Sequence, residues 1–144
     1  MKNFENAEMV EVTESFLSES KKYLGEADSS RVLKFHCCGL QDFQPESNRY
    51  DCIWIQWVLG YLKDNDLVDF FKRCKTALKP NGIIILKENV SVSEPEWDDV
   101  DSSWTRPRQA YLNLIHRANM VVLREEKQRK FPDEIYEVRF FAFK

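Results

Sequence analysis

Glycine is scarce in this chain of 144 residues: Gly25, Gly39, Gly60 and Gly82 are the only four, and no two of them form a G-x-G. A phosphate- or dinucleotide-binding loop of that spacing is therefore not encoded. Cysteine is equally sparse. Cys37, Cys38, Cys52 and Cys74 match no zinc-ligand spacing, so no metal is implied. The expectation is four free, buried thiols, because unpaired cysteine is among the most buried residue types. No dense Lys/Arg run occurs, and the net charge of -3 offers no basic surface for nucleic acid. No apolar run approaches membrane-spanning length, and the opening MKNFENAEMV lacks the apolar segment of a secretory signal. Nucleic acid and membrane are not expected as partners, and an intracellular location is the default.

What is present is the balance of a soluble globular domain, 43% hydrophobic and 31% charged, in a length suited to a single domain over residues 1–144. Strands and helices alternate. Ala7 to Val12 reads as a short strand, and Thr13 stands where a helix N-cap belongs. In the helix that follows, Phe16, Leu17, Ser20, Tyr23 and Leu24 share one face, and Gly25 is a natural stop. Arg31 to His36 is a second strand. Tyr50 to Val58 is nearly continuous and apolar, the pattern of a strand buried on both faces in a parallel sheet. Asp64 can cap a helix whose Leu67, Phe70, Phe71, Cys74, Ala77 and Leu78 form an apolar stripe. Pro80-Asn81-Gly82 predicts a turn before a buried strand at Ile83 to Leu86. Val90 to Thr105 is acidic and mixed, a long loop with at most a turn of helix. Pro107 suits the first position of another helix. Met120 to Arg124 and Ile135 to Phe143 are strands with no helix between them, hence an antiparallel hairpin. The fold class is α/β with right-handed crossovers.

Several runs within this order carry a resemblance: CCGLQDF at Cys37 to Phe43, YDCIWIQWVLGYL at Tyr50 to Leu62, NGIIILKENV at Asn81 to Val90, DDVDSS at Asp98 to Ser103 and PDEIY at Pro132 to Tyr136. Together they resemble the protein N-terminal methyltransferases that recognise an Xaa-Pro-Lys start, which are class I S-adenosylmethionine-dependent enzymes. The resemblance implies an incomplete Rossmann-like class I sheet ending in the antiparallel hairpin, and a nuclear and cytoplasmic location. It also implies α-N-methylation of protein N-terminal peptides, with S-adenosyl-L-methionine as cofactor.

Open α/β sheets bind ligands at the carboxyl ends of their strands, which directs attention to the loops there. The resemblance assigns Glu11, Val12 and Thr13, Leu40 and Gln41, and Gln56 to the cofactor. Glu11 suits the ribose hydroxyls, though by itself it reads as a surface glutamate. Gln56, an amide in an apolar strand, either meets the cofactor or satisfies neighbouring backbone. Trp57, Ile135 and Tyr136 are assigned to the substrate, with the Trp57 indole suited to a proline ring. Trp54, three positions earlier and so on the opposite face of the strand, is expected in the core. Asn89 resembles the asparagine that holds the substrate's first peptide carbonyl. Asp98 and Asp101 would draw in a protonated amine and a lysine side chain and accept the amine's proton.

Two departures from the family pattern bear on activity. The glycine-rich loop that follows the family's first strand has no counterpart, so the chain reads as a fragment beginning at the second strand, or as a truncated product that does not bind cofactor. Tyr61 stands where the family has a histidine placed to help deprotonate the amine. The opposing expectation is therefore a non-catalytic protein, associating with an active homologue.

Overall fold

The computed structural model describes residues 3–132 and 135–144, so Asp133 and Glu134 of the PDEIY run lie outside the described residues. The elements run β1 (Ala7–Glu11), α1 (Glu14–Ser29), β2 (Val32–Cys37), β3 (Tyr50–Gln56), α2 (Asp64–Ala77) and β4 (Leu78–Val90). They continue with β5 (Glu96–Asp98), β6 (Ser103–Thr105), α3 (Arg108–Arg117), β7 (Val122–Lys127) and β8 (Glu137–Phe143). They fall into two compact units, Met1–Gln44 and Pro45–Lys144.

In the first unit β1 and β2 pair in parallel, with Met9 opposite Phe35 and Glu11 opposite Cys37. A parallel pair needs a crossover, and α1 supplies it. Gly25 interrupts α1 with φ 71° and ψ 173°, so the expected stop is real, and one further turn follows to Ser29. Thr13 has the extended backbone of an N-cap, but its side chain makes no capping bond. The predicted apolar face of this helix is mostly uncovered: Leu17 is buried, whereas Phe16 and Tyr23 are 64% and 93% exposed. A two-stranded sheet is a strip too narrow to cover three apolar positions around a helix. Cys37 is exposed rather than buried, while Cys74 in the second unit is buried as expected.

The second unit holds a four-stranded sheet in the order β3-β4-β8-β7. β3 runs parallel to β4, β8 antiparallel to β4, and β7 antiparallel to β8, which realises the expected terminal hairpin. Strand alternation puts Ile84 and Leu86 on the same face as Phe141 and Phe143, and all four are fully buried. That face meets the helices: the Phe71 ring lies 5.3 Å from Phe143, and Tyr111 lies 5.8 Å from Phe141. Leu67, Phe70, Phe71, Cys74 and Ala77 of the α2 stripe are buried as the spacing predicts, whereas Leu78 leaves the helix and opens β4. Each large apolar side chain so placed contributes about 1.5–3 kcal/mol.

Four expectations change. β3 is an edge strand of its sheet, so of its run only Ile55 is buried, and Trp54 is 54% exposed instead of lying in the core. Pro80-Asn81-Gly82 does not end a helix in a separate turn. It bulges within β4, where Tyr50 pairs with Leu78 and Cys52 with Ile83. Asp64 is the first residue of α2 and not its cap; its carboxylate accepts the Arg106 Nε–H at 3.0 Å. The long loop after Val90 contains an antiparallel hairpin, β5 with β6, in which Trp97 pairs with Trp104.

Candidate functional site

The site is built where β3 and β4 end. Trp57, just past β3, has φ 53°, in the left-handed region where a bulky side chain is strained by about 1–3 kcal/mol. Three contacts hold it there. Its N–H donates to the Lys87 carbonyl at 3.2 Å, and the Lys87 ammonium lies 4.4 Å over its ring. The third contact is indirect: the Glu88 carboxylate accepts the N–H groups of Val58 and Leu59, the next two residues, at 2.9 and 3.0 Å. Glu88 is only 5% exposed. Burial pushes its carboxyl above the ordinary carboxylate value, against the opposing pull of those backbone N–H groups and of Arg106. Arg106, itself buried, donates to the carbonyls of Leu59 and Leu62 at 3.1 and 2.6 Å. A carboxylate and a guanidinium thus clamp the turn Leu59–Tyr61 from both sides.

Gly60 in that turn sits against the second hairpin. A Cβ there would stand 3.1 Å from both the Ser103 Cβ and the Trp104 carbonyl oxygen. Glycine therefore lets the turn approach β6, and the approach carries Asp101 to Tyr61, whose hydroxyl donates to Asp101 Oδ2 at 3.2 Å. Burial and the Asp101 carboxylate together push the Tyr61 phenol above its ordinary pKa, so it is neutral at physiological pH. The outcome is a hollow of about 290 Å³ lined by Trp57, Tyr61, Glu88, Asn89, Asp101 and Ile135, with Gly60, Ser103, Trp104, Thr105, Tyr111 and Phe131 completing its wall.

Five of the residues singled out in the sequence therefore meet: Trp57, Tyr61, Asn89, Asp101 and Ile135. Asp98 is not in the lining. Its carboxylate accepts the Val100 N–H at 2.8 Å and shapes the hairpin turn. Tyr136 lines a separate, wider hollow of about 550 Å³ under the β7–β8 connection, together with Ile135, and donates its hydroxyl to Glu96 at 2.7 Å. Gln56 ends β3 with its amide oxygen accepting the Trp54 indole N–H at 3.1 Å. In the first unit, Glu11 stands half-buried at the carboxyl end of β1, where one oxygen takes the Thr13 N–H at 2.8 Å; Val12 and Thr13 are exposed. After β2, the Gly39 carbonyl accepts the N–H groups of Asp42 and Phe43 at 3.1 and 3.0 Å, folding Leu40 and Gln41 into a tight turn. A carboxylate and a tight turn thus stand at the carboxyl ends of two adjacent parallel strands, the end at which open α/β sheets bind ligands.

Glu88, Arg106, Tyr111 and Trp104 escaped the sequence reading. A signal for Glu88 existed: it continues the alternation Ile84, Leu86, which places an acid on the buried face of β4. Nothing local marked Arg106, whose partners lie 42 to 47 positions away.

Solved structures show what class of fold this is. A methyltransferase from Mesorhizobium loti, described as S-adenosylmethionine dependent, superposes with a TM-score of 0.75 over 96% of this chain and 80% of its own, at 12% identity, a likeness of fold alone. A Leishmania major SAM-dependent methyltransferase superposes with a TM-score of 0.93 at 35% identity, over 99% of this chain and 56% of that one. The fold is that of the S-adenosylmethionine-dependent methyltransferases. The family described as AdoMet dependent proline di-methyltransferase matches residues 1–144, and the chain belongs to it. It is 53% identical over 141 residues to the Xenopus tropicalis N-terminal Xaa-Pro-Lys N-methyltransferase 1, covering 98% of this chain and 62% of that one. The human protein of the same name is 48% identical, with 98% and 63% covered. The chain spans less than two thirds of the length of these relatives.

Proposed function

We propose that this chain carries the amine-binding part of an enzyme that methylates the α-amine of protein N-termini beginning Xaa-Pro-Lys. The observation that carries this reading is the hollow in which an indole, an asparagine amide and a carboxylate converge. The half-exposed Trp57 indole offers a flat apolar surface for a proline ring. Asn89, near the end of β4 and in the lining of the hollow, would hold a peptide carbonyl. Asp101 attracts and orients a protonated amine, and it accepts the proton that must leave before nitrogen has a lone pair. S-adenosyl-L-methionine, when bound, supplies an electrophilic methyl group on a sulfonium. Glu11 and the Leu40–Gln41 turn are the residues of the first unit that would hold its nucleoside. Alignment of amine and methyl group would supply much of the rate. A nuclear and cytoplasmic location belongs to the same reading.

The test joins the N-terminal part of the Xenopus tropicalis relative to this chain and follows methylation of an Xaa-Pro-Lys peptide by mass spectrometry. The expected result is a peptide heavier by whole methyl groups, with fragmentation placing every added group on the α-amine. No transfer, with the joined protein folded and cofactor bound, would favour a non-catalytic role.

A further inference from the structure

We propose that the Trp97–Trp104 pair on the β5–β6 hairpin is a second subsite, taking a lysine or arginine side chain carried by the peptide beyond the residues in the hollow. The inference rests on reading the hollow as a peptide site and adds to it the chemistry of the following residues. Trp97 and Trp104 face each other across the hairpin with ring centroids 5.1 Å apart and ring planes at 54°. Both indoles remain open, 50% and 42% exposed. Trp104 also forms part of the wall of the hollow, so the pair continues that wall outward along the hairpin.

A pair of this kind can staple a short hairpin, because cross-strand aromatic pairs stabilise antiparallel strands. That role does not account for the charge around it. Glu94, Glu96, Asp98, Asp99 and Asp101 lie on this segment, and residues 88–105 contain no lysine, arginine or histidine. Glu96, Asp98, Asp99 and Asp101 are exposed. Tryptophan faces carry the strongest aromatic attraction for a cation, and the surrounding carboxylates raise the local concentration of one. An anionic or neutral polar side chain gains nothing from this surface. A basic side chain gains from both components, and an extended peptide leaving the hollow advances about 3.3 Å per residue, so one or two residues span the pair.

The experiment uses the 144-residue chain with its tryptophan indoles labelled with ¹⁵N and assigned through single tryptophan substitutions. Three peptides are titrated, each beginning Ser-Pro-Lys and continuing with Arg-Arg, Ala-Ala or Leu-Leu. The Arg-Arg peptide should shift the Trp97 and Trp104 indole signals and bind about 3- to 10-fold more tightly than the Ala-Ala peptide. Trp97→Leu, which keeps an apolar staple, should lose that preference, whereas Trp97→Phe should retain part of it. Equal affinity for the Arg-Arg and Ala-Ala peptides overturns the subsite. So does an equal response to Leu-Leu, or a preference unchanged in Trp97→Leu. The Trp57 signal reports the hollow separately: if no peptide moves it, the reading of the hollow as a peptide site fails, while Trp97 and Trp104 still decide the subsite.

Discussion

Tyr61 and Glu88 face the same hollow and differ in what each can do with a proton. Tyr61 donates to Asp101 at 3.2 Å, and its raised pKa keeps the phenol neutral near pH 7. It is therefore no substitute for an imidazole, whose ordinary pKa of about 6.5 leaves it largely free to accept a proton. In the joined protein, Tyr61→His should raise turnover several-fold around neutral pH, since general-base help is worth about 10²–10⁴ when fully placed. Asp101→Asn should abolish transfer in both backgrounds. Equal turnover in the parent and the Tyr61→His variant would reduce the tyrosine to a packing element. Glu88 has the opposite lever. Its folded pKa is raised by burial, so between the ordinary carboxylate value and that raised value the folded state holds a proton that the unfolded chain has lost. Stability contributed at Glu88 is thus present at low pH and is lost as pH rises through its folded pKa. Glu88→Gln, which keeps a carbonyl acceptor, should look better relative to the parent at pH 7 than at pH 4 in paired denaturant melts. Glu88→Leu leaves two N–H groups unsatisfied and takes the nearby carboxylate from buried Arg106; it should cost about 3–5 kcal/mol.

At the scale of the element, the meeting of the Leu59–Tyr61 turn with β6 determines whether Asp101 reaches the hollow. Gly60→Ala would put a methyl group 3.1 Å from the Ser103 Cβ and the Trp104 carbonyl oxygen. Since the carbonyl belongs to backbone, the turn or the hairpin must shift. The expected cost is about 1–3 kcal/mol, with a weaker Tyr61–Asp101 contact and lower affinity for the peptide than the parent. A Gly60→Ala protein with unchanged melting and unchanged peptide affinity would show that the two elements separate freely. This is also where the sequence was least informative. The acidic DDVD run reads as a loop by composition, yet Trp97 and Trp104 bring enough cross-strand contact to make three-residue strands of its flanks. The α2 stripe, by contrast, was legible from Leu67 to Ala77, because its 3.6-residue period needs no partner to be recognised; only Leu78, which opens β4, falls outside it. The α1 face had the same period, but the two strands beside it offer too little surface to bury Phe16 and Tyr23.

For the molecule as a whole, the two units differ in what holds them. Among the described residues of the first, Leu17, Val32 and Phe43 are the buried apolar side chains, whereas the second buries the stripe of α2, the face of α3 and the inner face of its sheet. Local stability follows buried contact, so amides of β1 and β2 should exchange at lower denaturant than those of β4 and β8. Identical exchange profiles would mean that the units unfold together. Among the described residues β1 pairs only with β2, and β3 only with β4, and no G-x-G is present to approach a cofactor closely. The 144-residue chain should therefore bind S-adenosyl-L-methionine more weakly than micromolar, as titration calorimetry would read it. The sequence by itself determined the α/β class, the helix periods and the terminal hairpin, because these depend on local spacing, and its resemblance to a known family pointed to several of the residues that line the hollow. Tertiary structure decided the rest. It set which apolar faces are covered, it turned Asp98 to the hairpin and Asp101 to the hollow, and it joined Glu88 and Arg106 to a turn far from them in sequence. Burial and long-range hydrogen bonding are properties of what lies opposite a residue, and no spacing along one strand or helix records that.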